Sequence, residues 1–227
     1  MNDLINVYNA LLDEYGHQGW WPIIDYNGSN PTKTGSIKGY HPKDYSFPVN
    51  DSQRFEICAG AILAQNTGWI NVEKSLVNLK REGLLCAEKI VNSVLQVREL
   101  IKPSGYFNLK AGYLENFSRF YLKLNGRIPE RKELLAVKGI GKETADSILL
   151  YAYKVPVFIV DAYTKRMFNF LGVIDSVDYE NIRLFFEGNL PKDYELFEEF
   201  HALIVEHAKN FYSKKPYGAG DFLKKII

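Results

Sequence analysis

The stretch LLAVKGIGKETADSILLYAYKVPVFIVDAYTKRMFNFLG, residues 134–172, decides the fold. A short helical pattern ends here in a glycine turn, Lys138-Gly139-Ile140-Gly141, and a second helical pattern begins directly after it. An apolar run, Pro156 to Val160, then leads to a single acidic residue, Asp161, at the start of a third helix.

The glycine turn has the features of a site that grips an anion. Gly139 and Gly141 can adopt positive φ and allow another backbone to come close, while Ile140 can plug into apolar surface. The N–H groups that follow open a helix, and helix N-termini attract anions. An ordinary turn between two glycine-capped helices is the alternative, which the carboxylate of Asp161 further along the chain disfavours.

The turn and the Val160-Asp161 pair resemble the helix-hairpin-helix DNA glycosylases of the endonuclease III superfamily. Their hairpin reads approximately L-P-G-(I/V)-G-x-x-(T/S)-A, and Lys138 stands where the proline is usual. The resemblance implies that Asp161 is catalytic and that the hairpin binds DNA phosphate through Gly139, Ile140, Gly141, Lys142 and Thr144. It also implies two helical lobes, residues 53–156 and residues 1–52 plus 157–227, with a DNA-binding cleft between them.

Composition and charge bound the class of protein. The chain has 227 residues, 46% hydrophobic and 24% charged, which is ordinary for a globular protein. No stretch is apolar enough to span a membrane, and the polar N-terminus is not typical of a secretory signal. Cys58 and Cys86 are expected to be reduced thiols in a cytoplasmic, nucleoid-associated protein. The net charge of +1 counts mildly against nucleic-acid binding, although phosphate contacts depend on local charge.

Hydrophobic periodicity predicts an all-α protein with short connections. Residues 23–52, rich in Gly, Pro, Asn, Ser and Tyr, are instead predicted to form a long surface loop. The predicted helices cover residues 3–15, 55–65, 72–81, 87–101, 109–124, 163–171, 179–187 and 194–212.

Gln65 is a candidate for insertion into DNA. The segment Ile62-Leu63-Ala64-Gln65-Asn66-Thr67 is similar to the family's L-x-x-Q-x-T motif, whose glutamine fills the space that a flipped base leaves. A base must leave the stack before it can be attacked, and an amide side chain can both fill the space and pair with the orphaned base. From the residues alone, a polar residue at a helix C-terminus is the simpler interpretation.

Glu143 is the most informative departure from the family. Members that also cut the DNA strand carry a nucleophilic lysine two residues after the second hairpin glycine, and here that position is Glu143. Lys142 is adjacent, but neighbouring helical positions point about 100° apart. We therefore expect a monofunctional enzyme that hydrolyses the glycosidic bond and leaves an abasic site.

A second departure concerns cofactors. Many members bind an iron–sulfur cluster through four cysteines after the last helix, whereas no cysteine follows Cys86 and Phe211 stands where the first would be. Counting therefore excludes a thiolate cluster in this region, and no cofactor or metal is expected. The family's monovalent cation at the hairpin carbonyls stays open.

These departures make the sequence similar to the cluster-free 3-methyladenine DNA glycosylases of the superfamily. That branch implies a base pocket built from the Trp20-Trp21-Pro22 segment and from Trp69, with Trp20 and Trp69 stacking on the flipped base. An N-alkylated purine is cationic, and indole faces attract cations by about 0.5–2 kcal/mol per ring. Tryptophans that simply pack in a core are the alternative.

Several alternatives stay open. The lesion could be uracil or thymine in a mismatch, or 8-oxoguanine with a lyase step, and the hairpin could serve a DNA-binding module without catalysis. The expected partner is double-stranded DNA containing a damaged base, bound by a monomer. Four lysines are candidate phosphate contacts, each equally explained as a solvated surface residue: Lys110, Lys165, Lys214 and Lys215.

Overall fold

A computed structural model describes residues 2–32 and 38–227. Over those residues the chain is helical and contains no β-strand, only an isolated antiparallel bridge between Ser29 and Lys38. The all-α prediction is confirmed. The α-helices are α1 Asn2–Tyr15, α2 Asp51–Leu63, α3 Trp69–Arg81, α4 Ala87–Asn92, α5 Val94–Leu100, α6 Phe107–Leu124, α7 Arg131–Leu135, α8 Lys142–Ser147, α9 Ala162–Phe170, α10 Tyr179–Asn189 and α11 Tyr194–Phe211.

Helix α2 is the centre of the first group of helices. Its residues from Phe55 to Leu63 are all buried, because apart from Glu56 this stretch is apolar or small and can be surrounded by protein. It packs against α3 and α6, while α4 and α5 pack against the other side of α6. Helix α8 continues into a π-helical turn, Ile148–Ala152, which also packs against α2.

The second group of helices consists of α1, α9, α10 and α11, with α11 packed against both α1 and α9. Aromatic rings fill its centre. Phe158 and Phe186 stack in parallel with ring centroids 4.0 Å apart, and Phe200 meets both rings edge-on. One continuous apolar core joins the two groups, and the buried run from Val157 to Val160 crosses it.

Two of the predicted helix boundaries were wrong for local reasons. The helix predicted over residues 87–101 breaks at Ser93, which has φ −137° and ψ 33°, so that α4 and α5 are separate. Helix α2 begins before Phe55, because the Asn50 side chain accepts a hydrogen bond from Gln53 N and caps the helix at Asp51. It also ends at Leu63, so Gln65 lies in the turn that follows.

Residues 23–32 and 38–50 of the predicted loop are irregular, apart from the bridge between Ser29 and Lys38. Residues 33–37 of this loop lie outside the described residues. The segment is nevertheless well packed, since Ile23, Tyr40 and His41 are buried.

The C-terminal residues fold back onto α11. His207 is fully buried, and its Nε2 lies 3.0 Å from Asp221 Oδ1 while its Nδ1 lies 3.0 Å from Tyr15 Oη. Leu223 packs into the core beyond this pair. In the part of the chain that the structure covers, no helix has the length and apolar character needed to cross a bilayer.

Candidate active site

A cavity of about 140 Å³ lies where α2, α8 and α11 meet the start of α9 and the irregular segment 16–50, which we call the aromatic segment. The cavity brings together five of the predicted site residues from distant parts of the sequence: Asp161, Trp20, Trp21, Gln65 and Thr144. The remaining lining residues are Gln18, Asn30, Thr32, Tyr40, Ala61, Ala64, Glu143, Ser147, Ile159, His201, Ala202, Val205, Glu206 and Lys209.

Asp161 is held at the N-terminus of α9. Its Oδ1 accepts hydrogen bonds from Thr164 N at 2.7 Å and from Thr164 Oγ1 at 2.8 Å, so the carboxylate caps the helix. Both of these bonds use the same oxygen. The buried run that ends at Val160 fixes the backbone before it, and the second carboxylate oxygen is thereby available to the cavity.

Glu143 lies beside Asp161 in the cavity wall, with part of its side chain open to solvent. Desolvation by the surrounding protein, followed by repulsion from the Asp161 carboxylate, raises the pKa of Glu143 to about 7, with Lys165 opposing the shift. The site therefore contains one carboxyl group that changes protonation near neutral pH.

Lys142 points away from the cavity, as its neighbouring helical position predicts. Its Nζ lies 3.4 Å from Glu180 Oε1 and 5.9 Å from the centre of the Tyr179 ring. The only hairpin-helix residues that line the cavity among those described are therefore Glu143, Thr144 and Ser147.

The hairpin requires glycine at its first position for two reasons. Gly139 has φ +100°, which residues with side chains rarely adopt, and a Cβ at this position would lie 2.2 Å from the Tyr113 ring. Gly141 differs, because its φ is −89° and a Cβ there would meet nothing within 4 Å. Ile140 is 6% exposed and plugs into the core as predicted.

Gln65 bonds directly to the hairpin. Its Nε2 donates to Gly139 O at 3.0 Å and to Thr144 Oγ1 at 3.1 Å. The turn that carries Gln65 thus sits against the start of α8, at one edge of the cavity.

The tryptophans divide into different environments. Trp21 is 5% exposed and packs against Gly60 of α2, where a Cβ would lie 3.1 Å from the indole nitrogen. Trp20 is half-buried and lies between Tyr40 and Trp69. Trp69 contacts both other indoles, but neither it nor Pro22 is among the described residues that line the cavity.

The Trp20 and Trp69 rings are in contact edge to face, with centroids 4.8 Å apart and planes at 66°. A base stacked between two rings needs ring planes separated by roughly 7 Å, twice a van der Waals contact. The two indoles must therefore move apart before a base can lie between them. Tyr40, which the sequence analysis missed, also lines the cavity and packs against Trp20, as Trp21 does.

Comparison with known proteins identifies the family. A family profile described as "HhH-GPD superfamily base excision DNA repair protein" matches residues 59–192. That range contains the Gln65 turn, the hairpin and Asp161.

This chain belongs to the HhH-GPD superfamily.

Two relatives and a solved structure agree with this membership. The chain is 44% identical over 225 residues to a Methanocaldococcus jannaschii protein whose name places it among DNA repair glycosylases, covering 93% of this chain and 90% of the relative. It is 30% identical to endonuclease III of Thermotoga maritima over 65% of this chain and 71% of that protein. A structure of H. pylori 3-methyladenine DNA glycosylase bound to 1,N6-ethenoadenine matches with a TM-score of 0.63 and 33% identity, covering 69% of this chain and 85% of that one. The protein is a DNA repair glycosylase.

Buried carboxylates fix the aromatic segment of this HhH-GPD glycosylase. Glu199 of α11 accepts hydrogen bonds from Gln18 N and Tyr45 Oη, both at 2.6 Å, and lies 3.2 Å from His17 Nδ1. Glu56 of α2 accepts from Ile24 N at 2.7 Å. The cavity wall that contains Trp20 is thus attached to both groups of helices.

Helix α11 supplies a wall of the glycosylase cavity that the sequence analysis largely missed. His201, Val205 and Lys209 recur every four residues and share one face of the helix. That spacing was the available signal for this face of α11. Tyr40 gave no comparable signal, because its position depends on an irregular segment.

The candidate phosphate-binding lysines differ in exposure. The prediction that Lys110 contacts phosphate was wrong. Its side chain is 2% exposed, and its Nζ bonds to three protein oxygens. Lys165 lies over the Tyr179 ring, with 5.7 Å from Nζ to the ring centre. Lys214 and Lys215 are exposed, and their contact with DNA stays a prediction.

Proposed function

We propose that this glycosylase is monofunctional and removes a cationic, N-alkylated purine by hydrolysis, leaving an abasic site. The observation that carries the proposal is the pairing of Glu143 with Asp161 in one cavity, at the position where strand-cutting relatives have a nucleophilic lysine. The similarity to the H. pylori 3-methyladenine DNA glycosylase supports the choice of lesion.

The chemistry of an alkylated purine suits this cavity. Its positive charge weakens the glycosidic bond, because the electron pair of that bond neutralises the base as it leaves. The departing base therefore needs little protonation. What the enzyme must supply is attraction for a cation before cleavage, and a carboxylate beside an indole face supplies both a charge and a cation–π contact.

Asp161 acts on the sugar in this proposal. As the base leaves, C1′ of the deoxyribose develops positive charge, and a fixed carboxylate stabilises that charge. The oxygen of Asp161 that is not bonded to Thr164 is the one that can stabilise the charge on C1′, and it can accept a proton from the attacking water. Water then adds to C1′, the C1′–N bond is broken, and the proton of the water passes to the carboxylate.

DNA positioning in this proposal uses the hairpin and the Gln65 turn. Gly139 and Gly141 present backbone N–H groups to a phosphate, with Lys142 and Thr144 beside them, whereas the predicted contact through Ile140 N is opposed by its hydrogen bond to Val137 O at 3.0 Å. Gln65 enters the space left by the flipped base. The size of the cavity, about 140 Å³, is that of a single aromatic ring, so a purine requires the Trp20 and Trp69 rings to separate.

A panel of duplexes, each containing a single lesion, tests the substrate class. We expect release of 3-methyladenine and related alkylpurines, with uracil, thymine in a mismatch and 8-oxoguanine left in place. Release of neutral bases without release of alkylated ones would refute the assignment.

Borohydride trapping tests the monofunctional assignment. No covalent enzyme–DNA adduct is expected, because the Lys142 ammonium points towards Glu180. Lys209 is the lysine side chain among the described residues that does line the cavity. An adduct that disappears in Lys209→Met would therefore assign a lyase step to that residue and overturn the proposal.

A further inference from the structure

Lys110 of α6 has an environment that packing alone does not explain. Its side chain is 2% exposed, and its Nζ donates three hydrogen bonds of 2.7 Å, to Leu63 O, Thr67 Oγ1 and Ser104 O. An ammonium group has three N–H donors, and all three are used. Every acceptor is a neutral oxygen, so the charge is bound without a carboxylate partner.

These three acceptors come from two separate chain segments. Leu63 O is a carbonyl at the C-terminal end of α2, where the helix dipole favours a cation, and Thr67 lies at the far end of the turn that carries Gln65. Ser104 belongs to a short 3₁₀ helix, Lys102–Ser104, that precedes α6. The ammonium therefore clamps both ends of the Gln65 turn to the loop beside it.

The Gln65 turn has few hydrogen bonds of its own: Thr67 N donates to Ala64 O at 3.1 Å, and Thr67 Oγ1 lies within hydrogen-bond distance of Gln65 O and Ser104 O. Asn66 has φ +53°, in the left-handed region that asparagine tolerates better than most residues with side chains. In the part of the chain that the structure describes, the Gln65 side chain bonds only to the hairpin, through Gly139 O and Thr144 Oγ1. Those two bonds must break when the side chain enters DNA, and the Lys110 ammonium, together with the bond from Thr67 Oγ1 to Ser104 O, then holds the turn against the neighbouring loop.

The free-energy cost of burying the Lys110 charge indicates that the ammonium has a role beyond packing. Burial lowers the pKa of Lys110 to about 8, so the charged, three-donor form still predominates at neutral pH. A methionine of similar length would pack in the same space without that desolvation. What only the ammonium provides is the simultaneous bonding of three oxygens.

We propose that Lys110 is the positioning residue that fixes the Gln65 turn for insertion into the DNA duplex. The proposal rests on the proposed function, in which Gln65 fills the space left by the flipped base. It makes no claim that Lys110 touches DNA or the reacting atoms.

The test compares two substrates under single-turnover conditions. One duplex carries the lesion opposite its normal partner base. The other carries it opposite a tetrahydrofuran abasic analogue, so that no partner base must be separated or held apart. A clamp on Gln65 is needed for the first substrate far more than for the second, whereas a general loss of folded protein lowers both rates equally.

We expect Lys110→Met to slow excision from the paired duplex roughly tenfold, the equivalent of about one charge-assisted hydrogen bond. Its loss on the unpaired duplex should be at least fivefold smaller. Lys123→Met is the matched control, because it removes the same charge from an exposed position on the same helix. It should leave both rates unchanged. Equal losses on both substrates, or no loss on the paired one, would overturn the role of Lys110.

Two safeguards keep the result interpretable. If Lys110→Met does not fold, Thr67→Val removes one acceptor and Thr67→Ser retains it, and only the valine variant should lower the paired-to-unpaired rate ratio. If the wild-type enzyme excises another lesion from the panel, the same ratio is measured on that lesion. An incorrect lesion assignment and an incorrect role for Lys110 then give different results.

Discussion

The two sides of the cavity are built by different means. The hairpin side, residues 134–172, places Glu143 and Asp161 through local chemistry: a glycine turn, helix caps and a buried apolar run. The aromatic segment, residues 16–50, places Trp20 and Tyr40 through contacts with distant helices, chiefly those of Glu199 and Glu56. The hairpin side can therefore be predicted from consecutive residues, whereas the aromatic segment forms its side of the cavity only when α2 and α11 are folded.

The largest expected effect is on turnover, without a matching loss of stability, when Asp161 is substituted. Asp161→Asn should lower kcat by about 100- to 1,000-fold, because it removes the charge that stabilises the developing cation. DNA affinity and thermal stability should stay near wild type, since an asparagine also caps helices. Excision kinetics and an electrophoretic binding assay measure the two outcomes, with Asp175→Asn as an exposed control. A fully active variant would remove Asp161 from the mechanism.

A substitution that detaches the aromatic segment should, in contrast, lower stability as well as activity. Glu199→Ala leaves the buried Gln18 N without its acceptor and removes one of the two partners of the Tyr45 hydroxyl, which also bonds to His17 Nδ1. This loss should reduce the free energy of unfolding by about 2 kcal/mol or more. Excision should fall as well, because Trp20 loses its support. Urea denaturation of this variant beside the exposed Glu195→Ala checks the prediction. Equal stability of the two variants would show that the segment does not depend on α11.

Within the hairpin, the two glycines should differ. Gly139→Ala forces a side chain into positive φ and against Tyr113, at a cost of about 1–3 kcal/mol in stability. Gly141→Ala should leave stability unchanged or slightly raised, because its φ is negative and the space is open. If Gly141 is needed for the approach of a phosphate, this variant alone should lose DNA affinity at normal stability. Thermal melting and binding assays together distinguish the cases.

The smallest effect concerns pH. The pKa of Glu143 is raised to about 7, so the carboxyl group loses its proton as pH increases through neutrality, and its attraction for a cationic base grows. We expect kcat/KM to rise about fivefold through this range, corresponding to roughly 1 kcal/mol for a charge pair near solvent. Glu143→Gln should flatten the rise. A decrease above pH 7 that the same substitution abolishes would make Glu143 a proton donor instead.

The same contrast explains what the sequence could predict. Asp161, the hairpin and the Gln65 turn could be predicted as parts of the site because each is defined by neighbouring residues. Trp69 was placed in the pocket by resemblance, whereas in the described structure it lies behind Trp20. Lys110 was misassigned as a surface lysine, since nothing in consecutive residues reveals that three distant oxygens converge on its ammonium. Contacts of this kind depend on tertiary packing.

The contact between Trp20 and Trp69 has a consequence for selectivity. In the proposed function, a base that enters between these indoles competes with a ring that is already there, so every candidate base begins with the same energetic penalty. An undamaged base replaces the contact between the indoles with stacking alone, whereas a cationic base adds electrostatic attraction to the indole faces. Discrimination between damaged and undamaged bases can thus arise from the contact between Trp20 and Trp69, which an entering base must replace. No group that recognises the methyl substituent itself is then required.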